Sequence, residues 1–365
     1  MNRSPVDADD TGLWKVLLKG RDDISWAGAS AGDRGFCFGT ETGEVFWTNF
    51  EGVQYGDLLA NAALDDDDEA VNGIAFNAGR MVVTTRSGSA IWKNFEGKAS
   101  KRKAVRIGVG SHGVVSALDG AFLMPLNVGG LMSVQDKSPK HFAGYLCKSD
   151  SMDLNIYRAA SLASPDGAQV LAVAARSGGV AVGTYKPGGM LNLDASEWPG
   201  ADVIDVCPTG HVGFPVAAYA LTRDNHILAF NNVLNLREHD TVRYKSMTGV
   251  AYRILSAGDF AFVLTDKALH VVHNLVAHSA GLFRVNRRTR NTSFPLEAID
   301  INLVGKRWLL VLLADSVLRL DLHALARDLA SDFEERVSEP TDVWSKAIFK
   351  VRHLDSQTSE FALVK

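Results

Sequence analysis

A short motif that occurs twice constrains the fold of this chain more than any other feature. WTNFEG begins at Trp47 and WKNFEG begins at Trp92, so the two copies agree at five of six positions and lie 45 residues apart. Agreement at this spacing indicates an internal repeat, in which each unit is one supersecondary element of a larger array. A repetitive fold is therefore a better hypothesis for 365 residues than a set of unrelated domains.

Seven segments share the pattern of that first pair, namely an apolar run, a short polar or glycine-containing turn, and a second apolar run. This pattern predicts a β-hairpin. The segments are FCFGTETGEVFW, MVVTTRSGSAIW, FLMPLNVGGLMSV, VLAVAARSGGVAV, AAYALTRDNHILAF, FVLTDKALHVV and LLVLLADSVLRL. A further apolar stretch that ends in a tight turn precedes each hairpin, as in GIAFNAG and RILSAGD, so every unit offers at least three strands.

The spacing of the hairpins indicates the architecture. Four-stranded propeller blades repeat every ~40 to 50 residues. A helical solenoid of similar period would need longer runs with helical periodicity, which this sequence lacks. The sequence therefore predicts an all-β chain folded as one seven-bladed β-propeller. Its hairpin turns lie 41 to 49 residues apart, at Gly43, Gly88, Gly129, Gly178, Asn225, Lys267 and Ser316.

The fourth strands and the closure of the ring are less regular in sequence. AVRIGVG, HFAGYLC, TVRYKS and LFRVNRRT are the candidate outer strands. Closing a ring removes exposed sheet edges, and one terminus commonly completes the last blade. Either WKVLLKG, from Trp14 to Gly20, or AIFKVRHL, from Ala347 to Leu354, could supply that strand, and the sequence leaves both open.

The predicted domain covers residues 13–365 and follows a flexible tail of residues 1–12. One helix is expected from Leu322 to Val337, after the last hairpin, with a C-terminal strand segment at 344–364. The helix is amphipathic because its apolar residues recur at helical spacing, at Leu325, Leu329, Phe333 and Val337.

The fourth unit contains Ser164-Pro165-Asp166-Gly167, which stands where WD40 repeats commonly carry a turn. Together with the period over residues 14–355, this turn makes the chain resemble the WD40-like superfamily of seven-bladed propellers. The Gly-His pair and the terminal Trp-Asp dipeptide of that family are missing, since Thr48 and Lys93 follow the two repeated tryptophans. The resemblance implies a rigid platform for partner proteins.

A second resemblance is carried by TETGEVFW, which looks like the Asp-box turn of sialidase-like propellers. The departure is that Thr42 and Ser87 stand where this turn has its aspartate.

Composition gives no global attraction to nucleic acid or to an anionic membrane, because the formal net charge is -4. Cys37, Cys147 and Cys207 are odd in number and far apart, which fits neither a disulfide framework nor a zinc motif. The start of the chain lacks the apolar segment of a secretory signal. We therefore expect a cytoplasmic protein with no membrane contact.

Clusters of like charge are the candidate partner-binding residues. An acidic run could dock on a basic partner, although adjacent carboxylates are typical of a solvated loop. Arginine-rich outer strands can contact phosphates, which keeps nucleic-acid binding as an alternative. The candidates are Asp65, Asp66, Asp67 and Asp68 in the acidic run, Lys101, Arg102, Lys103 and Arg106 in the second unit, and Arg287, Arg288 and Arg290 in the sixth.

Histidine and cysteine give no sharp catalytic prediction. His270 and His273 point to opposite faces of a strand, which is unsuited to joint metal binding. Cys207 near His211 could be an activated thiolate, but a cysteine ending an apolar strand is more often a small buried hydrophobe. The sequence contains no phosphate-binding loop and no nucleophile elbow, so we expect no cofactor.

The leading hypothesis is a non-enzymatic interaction module, a scaffold or adaptor subunit that binds one or more proteins within an intracellular complex. The alternative from another class is a glycan-acting hydrolase or lyase with its site at the mouth of the central channel. Convergence of four residues in one pocket would favour that enzyme, namely Asp202, Asp205, Arg253 and Asp300.

Overall fold

The structure is a computed structural model, and all structural statements below concern the residues that it describes. These are residues 13–28, 35–50, 55–61, 69–77, 79–93, 103–108, 110–116, 121–126, 131–135, 138–140, 156–163, 169–175, 179–186, 190–194, 203–208, 218–230, 239–242, 247–257, 260–273, 276–279, 282–285, 290–305 and 307–327.

Strands make up almost all of the regular structure in these ranges, and one short helix, α1 (322–327), follows the last strand. The strands in chain order are β1 (Trp14–Lys19), β2 (Ile24–Gly28), β3 (Gly35–Thr40), β4 (Glu44–Asn49), β5 (Tyr55–Asn61), β6 (Gly73–Asn77), β7 (Arg80–Thr84), β8 (Ser89–Lys93), β9 (Lys103–Ile107), β10 (Val115–Ser116), β11 (Phe122–Pro125), β12 (Leu131–Gln135), β13 (Ser138–Lys140), β14 (Ile156–Ala163), β15 (Gln169–Ala175), β16 (Gly179–Lys186), β17 (Met190–Asp194), β18 (Val203–Pro208), β19 (Ala218–Thr222), β20 (Ile227–Phe230), β21 (His239–Val242), β22 (Ala251–Ala257), β23 (Phe260–Thr265), β24 (Ala268–His273), β25 (Val276–Ser279), β26 (Leu282–Val285), β27 (Arg290–Pro295), β28 (Ala298–Val304), β29 (Trp308–Leu313) and β30 (Ser316–Asp321).

The strands form antiparallel sheets of four, which we number in chain order. Sheets 1 to 5 take β2–β5, β6–β9, β10–β13, β14–β17 and β18–β21, each in sequential order. Sheet 6 has the order β22-β23-β24-β27, and sheet 7 has the order β28-β29-β30-β1. All seven predicted hairpins are present, because each consists of the paired second and third strands of one sheet.

Each sheet contacts the next one along the chain, mostly through the first strands, and the first strand of sheet 1 contacts β28 of sheet 7. The contacts therefore follow a cyclic order that returns to its start. Such an order gives every sheet two neighbours, whereas a linear array would leave each end sheet with one.

The N-terminal strand supplies the fourth strand of sheet 7. β1 pairs antiparallel with β30, with Trp14 opposite Leu320 and Lys19 opposite Ser316. Of the two segments that the sequence offered for this position, WKVLLKG occupies it. The other, Ala347 to Leu354, lies outside the described residues.

The core lies between the sheets. The second strands β3 and β23 are buried along their whole length, because both of their faces pack against neighbouring sheets. One cluster between sheets 7 and 1 joins Leu17 and Leu18 of β1 to Phe36 and Phe38 of β3. This two-sided burial explains why the second strands read as continuous apolar runs and not as alternating ones.

A buried threonine closes the turn between the second and third strands in four sheets. Thr40 Oγ1 accepts a hydrogen bond from the Glu44 N–H, and Thr265 Oγ1 accepts one from the Ala268 N–H. The hydroxyl satisfies a backbone donor that the tight turn leaves without a ladder partner. The other two members of the set are Thr85 and Thr222.

The seam between sheets 7 and 1 carries a cation–aromatic stack. The guanidinium carbons of Arg307 and Arg319 lie 4.2 and 4.1 Å from the ring centroid of Trp308. Arg319 also donates from Nη1 to the Phe50 carbonyl of sheet 1 at 3.2 Å. These contacts connect the last sheet to the first.

Asp321 caps the N-terminal end of helix α1. Asp321 Oδ1 accepts hydrogen bonds from the N–H groups of His323 and Ala324. Leu322 and Leu325 pack into the core between sheets 6 and 7. The rest of the helix predicted to reach Val337 lies outside the described residues, and no described helix is long and apolar enough to cross a membrane.

One fourth-strand prediction is wrong. LFRVNRRT was a candidate for the outer strand of the sixth unit, but β26 within it pairs with β25 in a separate two-stranded sheet. The outer position of sheet 6 belongs to β27, which pairs along β24 with Pro295 opposite Ala268. Both segments have strand composition, and only the pairing with β24 distinguishes them.

We expect Leu18→Ala to lower the free energy of unfolding by about 2 to 5 kcal/mol, because Leu18 is fully buried between sheets 7 and 1. The neighbouring substitution Lys19→Ala, at an exposed residue of the same strand, should cost less than ~0.5 kcal/mol. Denaturant titration of both variants measures the difference. Equal, small losses would show that β1 does not pack as the outer strand of sheet 7.

Candidate binding site on the first strands

Five of the seven first strands contain a β-bulge at the same place. In β2, β14, β18, β22 and β28 the pairing register shifts immediately after the first residue. A bulge leaves one residue unpaired and redirects the side chains that follow it. The first residues after the bulges are Trp26, Arg158, Asp205, Arg253 and Asp300.

Three of these residues form an ion chain across sheets 5, 6 and 7. Arg253 Nη1 lies 3.3 Å from Asp205 Oδ2, and Arg253 Nε lies 3.1 Å from Asp300 Oδ1. The chain continues into sheet 1, because Asn302 Nδ2 donates to Asp300 Oδ2 at 3.2 Å and to the Ala27 carbonyl at 2.8 Å. Four consecutive first strands are therefore joined by polar contacts.

Asp205 is the buried end of this chain, with none of its side chain exposed. Its Oδ1 accepts a hydrogen bond from the Val206 N–H and its Oδ2 accepts one from the Ile254 N–H, both at 2.9 Å. A carboxylate with two amide donors and a guanidinium partner is satisfied without water. Asp205 consequently has no surface from which to exchange a proton with a substrate.

Arg253 is the centre of the chain, and 14% of its side chain is exposed. Burial alone would lower the pKa of this guanidinium, but the carboxylates of Asp205 and Asp300 outweigh burial and raise it above its ordinary value. Arg253 therefore stays charged at every pH at which the protein folds. Its positive charge is shared between two carboxylates.

The convergence of Asp205, Arg253 and Asp300 is the arrangement that would have favoured a glycan-acting enzyme. The geometry argues against acid–base chemistry, since both carboxylates are held by one arginine and Asp205 is inaccessible. Acid and base catalysis need carboxyl groups that reach the substrate. The fourth residue of that hypothesis, Asp202, lies outside the described residues.

An apolar surface borders the ion chain where β22 and β28 begin. Val250, just before β22, is 62% exposed, and Ile299, the bulge residue of β28, is 51% exposed. Tyr252, the bulge residue of β22, connects the starts of the two strands, because its hydroxyl donates a hydrogen bond to the Ala298 carbonyl. We call these three residues the Val250–Ile299 surface. Among the residues whose side-chain exposure the structure describes, Val105 of β9 is the other large apolar residue that is exposed.

Turns from two sheets hold the backbone under this surface. Asn225 of sheet 5 donates from Nδ2 to the Gly249 carbonyl and accepts the Ala251 N–H at Oδ1, both at 2.9 Å. Asp266 Oδ1 of sheet 6 accepts the Val250 N–H at 2.7 Å. Gly249 has a φ of +86°, and an added Cβ would lie 2.1 Å from Asp266 Oδ1, so this position requires glycine.

The charge clusters predicted as partner-binding residues do not lie in one sheet. Lys103 and Arg106 are in β9 of sheet 2, and Arg290 begins β27 of sheet 6. Sheets 3, 4 and 5 separate the two on one side, and sheets 7 and 1 separate them on the other. The remaining predicted residues lie outside the described part of the chain, namely Asp65, Asp66, Asp67, Asp68, Lys101, Arg102, Arg287 and Arg288. All of these sites stay predictions.

The side chains of Cys37, Cys207 and His270, which the cysteine and histidine hypotheses concern, are buried. Burial, with a contribution from Asp205, raises the pKa of the Cys207 thiol well above its usual range, so the thiolate is disfavoured. Cys37 is buried as well, in sheet 1. Burial also lowers the pKa of His270. No cluster of metal-ligating side chains occurs within the described ranges.

Comparison with known proteins gives a fold and no family. No protein-family model and no curated protein matches the sequence. Among solved structures the chain is similar to YCF48 bound to D1 peptide, with 12% sequence identity and a TM-score of 0.56 over 86% of this chain and 98% of that one. The chain has a β-propeller-like fold. At this identity the likeness extends to the fold alone.

Replacing Arg253 by methionine should lower the free energy of unfolding by about 3 to 5 kcal/mol, because Asp205 would remain buried with its partner removed. The double variant Arg253→Met/Asp205→Asn should recover part of that loss, since no buried charge is left unpaired. Arg307→Met should cost less, ~1 kcal/mol, because Arg307 is half-exposed and its partner Asp321 keeps the N–H donors of His323 and Ala324. Denaturant titration would contradict the ion chain if the two arginine variants lost equal stability.

Proposed function

We propose that this chain is a closed seven-bladed β-propeller that binds a partner polypeptide on the Val250–Ile299 surface. It acts as an interaction module, a scaffold or adaptor subunit of a cytoplasmic complex, and not as an enzyme. The observation that carries the proposal is the pair of exposed apolar side chains, Val250 and Ile299, where two neighbouring first strands begin.

The position of this surface supports a binding role. Strand-to-strand connections on a rigid scaffold are where proteins of repetitive β architecture commonly bind their ligands. Val250 and Ile299 lie where two contacting strands begin, and exposed apolar side chains that cluster are typical of interaction sites. Tyr252 adds an aromatic side chain whose hydroxyl bonds the residue before Ile299, and aromatic residues are enriched at binding hot spots.

The backbone under the surface is also held in one conformation. Asn225, Asp266 and the Arg253 ion chain connect three sheets around it. A surface that is ordered before binding loses less conformational entropy when a ligand arrives. The likeness to YCF48, whose structure was solved with a D1 peptide, is consistent with a propeller that takes a peptide segment.

The double variant Val250→Ser/Ile299→Ser tests the proposal, because it removes apolar area without adding charge. Proteins that co-purify specifically with the wild-type chain from its native cell should be lost or reduced about tenfold with this variant. Val105→Ser, the matched control on β9 of sheet 2, should retain them. Cross-linking with mass spectrometry should place the partner segment beside β22 and β28.

Equal retention of the partner by the wild-type chain and Val250→Ser/Ile299→Ser, with cross-links elsewhere, would place binding on another surface and contradict the proposal. Turnover of a small substrate by the purified chain, without any specific protein partner, would contradict the interaction module itself.

A further inference from the structure

Each exposed side chain of the Val250–Ile299 surface lies beside a carboxylate. The N–H of Val250 is held by Asp266, an exposed residue of the turn between β23 and β24. Ile299 is followed in β28 by Asp300, whose side chain is 21% exposed, and Glu297 just before the strand is exposed. The apolar surface therefore has an acidic rim.

The rim has an excess of negative charge. Five carboxylates and three cations lie at the starts of the first strands of sheets 5 to 7 or in the turns that contact the start of β22, namely Asp205, Asp224, Asp266, Glu297 and Asp300 against Arg223, Arg253 and Lys267. Arg253 offsets one of the two charges of Asp205 and Asp300, with which it is paired, so it lowers the negative charge of this region without reversing it.

The pKa of the Tyr252 hydroxyl is shifted by the same negative charge. Burial raises the pKa of its hydroxyl to about 12, and the carboxylates of Asp300 and Asp266 contribute to this rise in the same direction. Two carboxylates of the rim therefore lie close enough to Tyr252 to act electrostatically on its hydroxyl.

We infer that the segment bound at the Val250–Ile299 surface is cationic as well as apolar, with a lysine or arginine that contacts the rim of Asp266, Glu297 and Asp300. This inference rests on the proposed function. The methylene stem of such a side chain covers apolar surface while its charged end stays at the polar rim. Acidic segments are rejected, because like charges across an interface are repelled.

Three synthetic peptides that alternate valine with lysine, with serine or with glutamate test the charge preference on the full chain. Isothermal titration calorimetry should give the valine–lysine peptide an affinity about tenfold above that of the valine–serine peptide, and no binding of the valine–glutamate peptide. The advantage of lysine should shrink when the salt concentration rises from about 50 to about 500 mM, because exposed charges are screened.

The double variant Asp266→Asn/Glu297→Gln locates the effect. It keeps the shape of both side chains and should reduce the affinity for the valine–lysine peptide to that for the valine–serine peptide. Glu41→Gln/Glu44→Gln is the matched control, since it removes the same charge from the turn between the second and third strands of sheet 1. This control should leave the lysine advantage unchanged.

Failure of the charge preference can be distinguished from failure of the docking surface. If all three peptides bind equally and Val250→Ser/Ile299→Ser abolishes their binding, the docking surface stands and the charge preference is wrong. If no peptide binds, both the docking surface and the charge preference are wrong. The same holds if Val250→Ser/Ile299→Ser binds the peptides as well as the wild-type chain does. If Glu41→Gln/Glu44→Gln also loses the preference for the lysine peptide, that preference comes from the net charge of the protein. This result would overturn the proposed rim.

Discussion

The need to cover both faces of every sheet is the constraint on which this structure depends. The second strands β3, β7, β19 and β23 are buried over their whole length, so both faces of each of these strands are covered. Sheets of this kind must each have two neighbours. The cyclic order of contacts supplies them, and the pairing of β1 with β30 supplies the outer strand of the last sheet. Loss of that pairing would expose the edge of β30 and the apolar side chains that β1 covers.

The first strands follow a different principle, because they combine packing with buried charge. A bulge near the start of β18, β22 and β28 redirects one charged side chain in each strand toward the charged side chain of the neighbouring strand. Without the bulge, regular alternation along the strand would point that side chain to the other face, toward the apolar core. Replacing such an ion chain with apolar residues is often neutral for stability. Its contribution is better understood as fixing how sheets 5, 6 and 7 are placed relative to one another, since the hydrogen bonds are satisfied at one relative position.

Much of the fold could be predicted from the sequence, because its strongest signals are local. The hairpins are contiguous segments of apolar runs and turns, and the structure pairs all seven of them. The outer strand of sheet 6 could not be predicted, because β26 and β27 both have strand composition and only pairing with β24 distinguishes them. The turn threonines are visible in the sequence as a residue shared by FGTETG, VTTRSG, ALTRDN and VLTDKA.

The candidate site was harder to predict than the fold, because its residues are far apart in the sequence. Asp205, Arg253 and Asp300 are separated by 48 and 47 residues, so nothing local in the sequence pairs them. Their convergence was expected only under the alternative of a glycan-acting enzyme, which would place them in one pocket. The structure differs from that expectation, because the residues after the bulges pair with one another, while Ile299 in the bulge of β28 and Val250 before β22 stay exposed. The charged side chains that could have lined an open pocket instead connect sheets 5, 6 and 7. The exposed apolar residues beside it are left as the part of this region that a partner can contact.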